Sequence, residues 1–472
     1  MTSESTAANQ AVAVVGGGVT GLTAAWWLHA QGHRVILFES SDHLGGAVTT
    51  VARDGWLIEC GPNSLLESPE FNALVAALGL ESERLYAAPA AKNRYLVRDG
   101  RLLPVPMAPP KLLTSPLFSP RTKLRLFTEL FMRARVRATD VSLAVFVRDH
   151  FGPEIVDYAV NPLVAGIYAG DPEILSTKYA FAKLWEIEQT HGSLIRGQIA
   201  AMKERRARGE KPAARIASFA RGLQTLPAAL AAQLPTAAIR TRTPVISLSP
   251  GRTWKLVSRR DGLAATDEFD AVVLALPAAT LAQLSIGPSG ENPLAALRRV
   301  DYPPVASLFL GFRREQVAHP LDGFGALVPA VEHRAILGVL FSSTLFPGRA
   351  PEGHVALTVY VGGTRQPDLA RLAPEALRGR VLADLRDLLG VSGNPIFTHA
   401  TFWPHAIPQY NLGYERFLEA MANAEARHAG LFIGGHVRDG ISVANCITAG
   451  QRLAEAAAKY LGRGSRAGLL SP

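Results

Sequence analysis

Residues 11–30 read AVAVVGGGVTGLTAAWWLHA, a continuously apolar, β-branched run that feeds a GxGxxG turn and then a helical pattern. Few short patterns restrict a fold as much, because strand, glycine turn and helix in this order open the βαβ unit of a dinucleotide-binding parallel sheet. Gly16 permits the tight turn, Gly18 lets backbone amides approach a pyrophosphate, and Gly21 lets the helix pack close to the strand. The N-terminus of that helix faces the anion with its unpaired N–H groups. Gly32 ends the helix, residues 35–38 form a second buried strand, and Glu39 stands at its carboxyl end, where an acid accepts ribose hydroxyls.

With 472 residues, 48% of them hydrophobic, the chain can build two or three domains with real cores. Cys60 and Cys446 are its only cysteines, which argues against a disulfide framework or a cysteine zinc site and points to a reducing, cytoplasmic compartment. The opening MTSESTAANQ is polar and leads into no signal-peptide core, and no apolar run reaches the roughly 18 residues of a membrane span. A formal charge of +9 favours acidic partners: nucleic acid, anionic lipid or a polycarboxylate substrate. Nucleic acid is set aside, since no RNA-binding signature accompanies the aromatics and the basic residues are spread along the chain. No Ser/His/Asp set, paired carboxylates or metal-ligand cluster stands at suitable spacing, so no metal and no catalytic side chain is assigned, and a cofactor must carry the chemistry.

After Glu39 comes SSDHLGGAVTT, whose Gly45 and Gly46 pair resembles the flavoprotein oxidase pattern and selects FAD over NAD. GWLIECGPNSLL (55–66), AGIYAGDPEILS (165–176), IEQTHGSLIRG (187–197) and IPQYNLGY (407–414) then resemble flavin-dependent protoporphyrinogen oxidases, within the wider family of monoamine oxidases and phytoene desaturases. The resemblance runs from about residue 11 to about residue 462 and leaves an amine oxidase or carotene desaturase without an account of the middle two segments. It implies an α/β chain: a Rossmann-type FAD-binding domain, an α+β substrate domain and a mostly helical membrane-binding insertion.

The expected boundaries are 1–90, 210–278 and 396–465 for the FAD domain, 91–110 and 279–395 for the substrate domain, 111–209 for the helical insertion, and a tail at 466–472. The resemblance places Gly16, Gly17, Gly18, Val19, Thr20, Gly21, Glu39, Ser40, Gly45, Gly46, Ala47 and Val245 at the cofactor. It adds Gly61, Pro62, Asn63 and Ser64 beside the flavin, and Gly435, Ile441, Ser442 and Val443 near the end of the chain. Two positions depart from the family: Ala47 replaces a common arginine, and His436 replaces a common asparagine. For the substrate the resemblance names Arg94, whose planar fork suits a propionate, and Gly166, where backbone approaches the macrocycle.

Within the insertion, helical patterns cover 120–137, 141–150 and 193–209. Ser119 and Pro120 start the first, which places Leu124, Phe127, Leu130 and Phe131 at helical spacing among Arg121, Lys123, Arg125, Arg133 and Arg135. Such a basic amphipathic helix, preceded by LLPVPMAPPKLLTSPLF, fits an anionic membrane surface. The alternating runs VASLFLGF, AILGVLF and HVALTVYVG predict an antiparallel sheet within 279–395.

The expected activity is oxidation of protoporphyrinogen to protoporphyrin in heme biosynthesis, by hydride transfer to flavin N5 in three two-electron steps with O2 returning as hydrogen peroxide. Coproporphyrinogen III oxidation is the alternative, and a non-enzymatic porphyrin carrier the reading from another class. The next enzyme of the pathway and a second copy of the chain complete the candidate partners.

Overall fold

In a computed structural model, residues 10–106, 111, 114–134, 136–209, 215–287 and 292–467 are described. Arg135, residues 107–110, 112 and 113 of the proline-broken stretch, most of the opening decapeptide and the end of the tail lie outside them. Strand Ala11–Val15 is central in a five-stranded parallel sheet, flanked by Arg34–Phe38 and Ala271–Leu274, with Ile239–Arg240 and Leu431–Ile433 at the edges. Its five residues are all buried because both faces are covered. Val12 and Val14 meet Leu22 and Leu28 of helix Val19–Ala30, whereas Ala13 and Val15 meet Leu248, Trp254 and Phe269.

Those last three residues belong to an antiparallel meander, Val245–Ser249, Trp254–Arg260 and Leu263–Phe269, which caps the second face. On the first face, helix Val443–Ala467 lies against Val19–Ala30. Gly450 makes that approach feasible, since a Cβ there would stand 2.5 Å from the Thr20 carbonyl oxygen.

The expected second sheet has seven strands, in the order Phe397–Trp403, Val305–Arg313, His354–Gly362, Ile336–Leu340, Gly323–Leu327, Asn93–Arg98 and Arg101–Pro104. Every pair is antiparallel except Gly323–Leu327 with Asn93–Arg98. Helix Pro374–Leu389 covers its back with Leu377, Val381 and Leu385. The sheet extends past the boundary expected at 395, because Phe397–Trp403 pairs along Val305–Gly311 instead of returning at once to the parallel sheet.

Helices fill the insertion, and serines start four of them, Ser176 at the short helix Thr177–Ala180 included. Ser119, Ser142 and Ser193 accept hydrogen bonds from Thr122, Val145 and Arg196 N–H at the heads of Pro120–Glu129, Leu143–Phe151 and Leu194–Ala207. The first helix stops at Glu129 rather than running to 137. Asn161–Tyr168 and Ala182–His191 are helices that the spacing did not single out.

Candidate active site

The glycine turn has the shape its residues demand. Gly16 has φ +110°, and a Cβ there would lie 2.3 Å from the Ala275 carbonyl oxygen; at Gly21 it would lie 1.9 Å from that of Gly16. At Gly18, the residue that heads helix Val19–Ala30, a Cβ would meet nothing within 4 Å. The turn is therefore tight underneath and open above, with no side chain capping the first helical N–H groups. Such an opening suits a pyrophosphate.

Glu39 is held at the rim: Gly17 N–H donates to its Oε2 (2.7 Å) and Ser41 N–H to its Oε1 (2.7 Å), while the Ser40 hydroxyl reaches Oε1 at 3.2 Å. Gly45 N–H donates to the Gly17 carbonyl, and Gly46 approaches the Gly18 backbone. The second glycine pair thus lies on the first turn. Ala47 is exposed and brings no charge, so its carbonyl matters more than its side chain: a Cβ on Gly61 would come 1.9 Å from that oxygen. Val245 begins its strand two residues after Thr243, whose N–H donates to the Glu39 carbonyl (2.8 Å).

Residues near the end of the chain converge on the same helix. Gly435, at φ +105°, abuts Thr20, and its N–H donates to Asp439 Oδ2 (2.7 Å). Ser442 accepts from Asn445 N–H (3.1 Å) at the start of Val443–Ala467, with Ile441 and Val443 half-buried beside it. His436 is fixed by partners that sequence spacing could not reveal. Tyr302 Oη lies 3.1 Å from its Nε2, and Tyr410 Oη donates to its carbonyl (2.6 Å). Burial lowers the His436 pKa to about 4, so the ring is neutral near pH 7.

Arg94 and Gly166 both lie against strand Gly323–Leu327. The register passes from Asn93↔Gly323 to Tyr95↔Ala326, so Phe324 and Gly325 bulge opposite Arg94. The guanidinium carbon stands 5.3 Å from the centre of the Phe324 ring. Its neighbours are tied down instead, since Asn93 Nδ2 and Tyr95 Oη both donate to Asp322. Gly166 is exposed on helix Asn161–Tyr168, and a Cβ there would meet Leu327 Cδ2 at 2.7 Å.

Of the motif segments, two interlock. Gln409 Nε2 donates to the Tyr168 carbonyl (2.7 Å), Gly170 leaves room for that amide, and Ser176 N–H donates to the Tyr410 carbonyl. Tyr410 continues to His436 and accepts from Gly440 N–H (3.0 Å), so the helix of Gly166 is joined to the residues around His436. IEQTHGSLIRG serves a different purpose: Glu188 binds Arg137 and His150, Gly192 leaves space for the Arg133–Ala134 backbone, and Ser193 heads a helix while donating to Glu129.

The pattern of the flavin containing amine oxidoreductases matches residues 19–458. The chain belongs to this family. A protoporphyrinogen oxidase 2 of Arabidopsis thaliana is 34% identical over 95% of this chain and 94% of its own length. A coproporphyrinogen III oxidase of Bacillus subtilis (strain 168) is 30% identical over 95% and 98%. A crystal structure from Exiguobacterium sp. 255-15 superposes with a TM-score of 0.80 at 24% identity, covering 96% of this chain and 99% of that one. The cyclohexylamine oxidase of Brevibacterium oxydans IH-35A does so at 0.70 and 16%, again covering 96% and 99%. Those two likenesses concern the fold. As a member of the flavin containing amine oxidoreductases the protein takes FAD, and an open turn over Gly18 with Glu39 at its rim fits that cofactor.

Proposed function

We propose that this protein oxidises protoporphyrinogen IX to protoporphyrin IX, and that the paired placement of Arg94 and Gly166 along one strand carries this reading. A porphyrinogen offers a broad apolar ring with propionate arms. Phe324 and Leu327 supply apolar surface on that strand, Gly166 leaves backbone room beside Leu327, and Arg94 offers a cation with no carboxylate partner among the described residues. The relative named protoporphyrinogen oxidase, matched over nearly its whole length, supports the same substrate.

FAD supplies hydride acceptance at N5 and return to the oxidised state by O2, with hydrogen peroxide formed in each of three rounds. The chain supplies placement. Gly16–Gly21, Glu39, Ser40, Gly45–Ala47 and Val245 would hold the dinucleotide end, and Gly61–Ser64 and Gly435 with Ile441–Val443 would lie beside the ring. No side chain is assigned as general base. The domain division stands as a proposal with the strand Phe397–Trp403 joined to the substrate sheet.

Coproporphyrinogen III is the second substrate to test, because the Bacillus relative of that name covers as much of the chain. Bound FAD and porphyrin fluorescence should be followed in air with both porphyrinogens side by side. A higher kcat/KM for protoporphyrinogen upholds the proposal, a higher value for coproporphyrinogen moves the protein to the other substrate, and turnover of neither overturns both.

The helical insertion is read as a docking face for anionic lipid. Helix Pro120–Glu129 is turned inside out: Leu124 and Phe127 are 64% and 60% exposed and Phe131 just beyond it 69%, whereas Glu129 is 1% exposed. No helix among the described residues is long and apolar enough to cross a membrane.

A further inference from the structure

Behind the segment Gly61–Ser64 lies a cavity of about 10 Å³, lined by Glu59, Asn63, Ser342 and Arg349 among apolar residues that include Leu345. Arg349 is 2% exposed, one of the most deeply buried large side chains in the protein. Its Nη2 donates to Ser218 Oγ (2.9 Å) and the Phe219 carbonyl (3.2 Å) and stands 3.5 Å from Glu59 Oε1. Its Nη1 is buried without a hydrogen-bond partner among the described residues. A buried guanidinium N–H left unpaired is destabilising, so a native core seldom leaves one.

Asn63 also lines the cavity. Its amide nitrogen lies 3.3 Å from the Gly61 carbonyl oxygen and 2.5 Å from Tyr360 Oη. A carbonyl only accepts, so the atom facing Gly61 must be Nδ2, which leaves Oδ1 as an acceptor with no partner among the described residues. The volume holds one water and nothing larger. The charge argues for a neutral occupant too, because Glu59 already stands against the guanidinium.

We infer that one water fills this cavity, accepting from Arg349 Nη1 and donating to Asn63 Oδ1, so that Arg349 is a positioning residue for the segment Gly61–Ser64. The positioning role rests on the reading of that segment as lying beside the flavin; the water site does not. Arg349 also reaches strand Ile216–Phe219, so the bridge fixes the segment against two other parts of the fold.

The test is a crystal structure of the FAD-loaded protein at a resolution that shows waters, with FAD titrations of two variants. One water within hydrogen-bond distance of Arg349 Nη1 and Asn63 Oδ1 is expected; an empty cavity or a guanidinium turned elsewhere overturns the inference. FAD lying away from Gly61–Ser64 with the water in place would instead defeat the reading of the flavin side. Leu345→Met extends a flexible apolar chain into the cavity, and Arg349→Lys keeps a charge for Glu59 while removing Nη1. Each should displace the water and raise the Kd for FAD about fivefold, the equivalent of one hydrogen bond. An unchanged Kd in whichever variant folds removes the positioning role.

Discussion

Arg94 faces Phe324 across a β-bulge, its guanidinium 5.3 Å from the ring centre, on the one parallel pair of an otherwise antiparallel sheet. A bulge turns the side chain beside it out of the regular alternation. Asp322, the residue just before that strand, is engaged by Asn93 and Tyr95 instead. In the function proposed above, Arg94 is the residue that meets a ligand carboxylate.

Replacing it should show in substrate binding. Arg94→Ala is expected to raise KM for protoporphyrinogen about 10- to 100-fold, the range of a charge-assisted hydrogen bond, with bound FAD unchanged. Arg94→Lys should recover only part, because an ammonium lacks the planar fork. Steady-state kinetics with flavin absorbance decide it, and an unaltered KM removes Arg94 from the pocket.

Gly166 makes a different prediction because what a side chain would strike is soft. Its Cβ would meet Leu327 Cδ2, the far end of a flexible side chain, at 2.7 Å. Gly166→Val should therefore fold with a Tm close to that of the parent while KM rises. Combining it with Leu327→Ala discriminates two causes. Recovery of KM would mean that Leu327 had been pushed into the substrate's space, and no recovery that the new side chain itself collides with the macrocycle.

Outward-facing Phe127 and Phe131 carry the lipid reading, with ring centres 5.7 Å apart and both rings exposed. Their replacement by serine should leave Tm and activity in detergent nearly unchanged, since neither ring is buried, yet weaken sedimentation with vesicles containing anionic lipid by about tenfold or more. Binding equal to that of the parent would assign the aromatic face to another partner.

How far the sequence foretold this architecture depends on how local each signal is. The glycine turn, Glu39 and the strand His354–Gly362 are set by neighbours a few residues away, and the structure has them where spacing puts them. Helix 120–137 is shorter than its periodicity suggests because Glu129 is drawn inward by distant groups: Leu194 N–H at 2.5 Å, the Ser193 hydroxyl at 2.7 Å and His150 Nδ1 at 3.0 Å. The meander 245–269 was hidden because Leu263–Glu268 turns to solvent on both sides and shows no apolar alternation. Tyr302, Tyr410 and Arg349 reach their partners across more than twenty residues, beyond any motif.

His436 gives the pH prediction. Ala278 N–H donates to Tyr302 Oη (3.2 Å), which leaves the Tyr302 proton for His436 Nε2; burial holds the Tyr302 pKa up at about 12, so that proton stays. Burial also lowers the His436 pKa from 6.5 to about 4. Above pH 6.5 the ring is neutral in folded and unfolded chains alike, and its contribution does not vary with pH. Between pH 6.5 and 4 the unfolded chain binds the proton first, so folding stability falls as pH drops, by up to on the order of 3 kcal/mol. Below about pH 4 both forms are protonated and the loss levels off. His436→Asn removes the titrating group, so the loss of stability from pH 7 to pH 5 should be smaller than in the parent; His33, His319 and His399, also lowered by burial, contribute equally to both proteins. Urea unfolding of the FAD-loaded proteins at the two pH values measures this, and equal losses would show that His436 titrates normally.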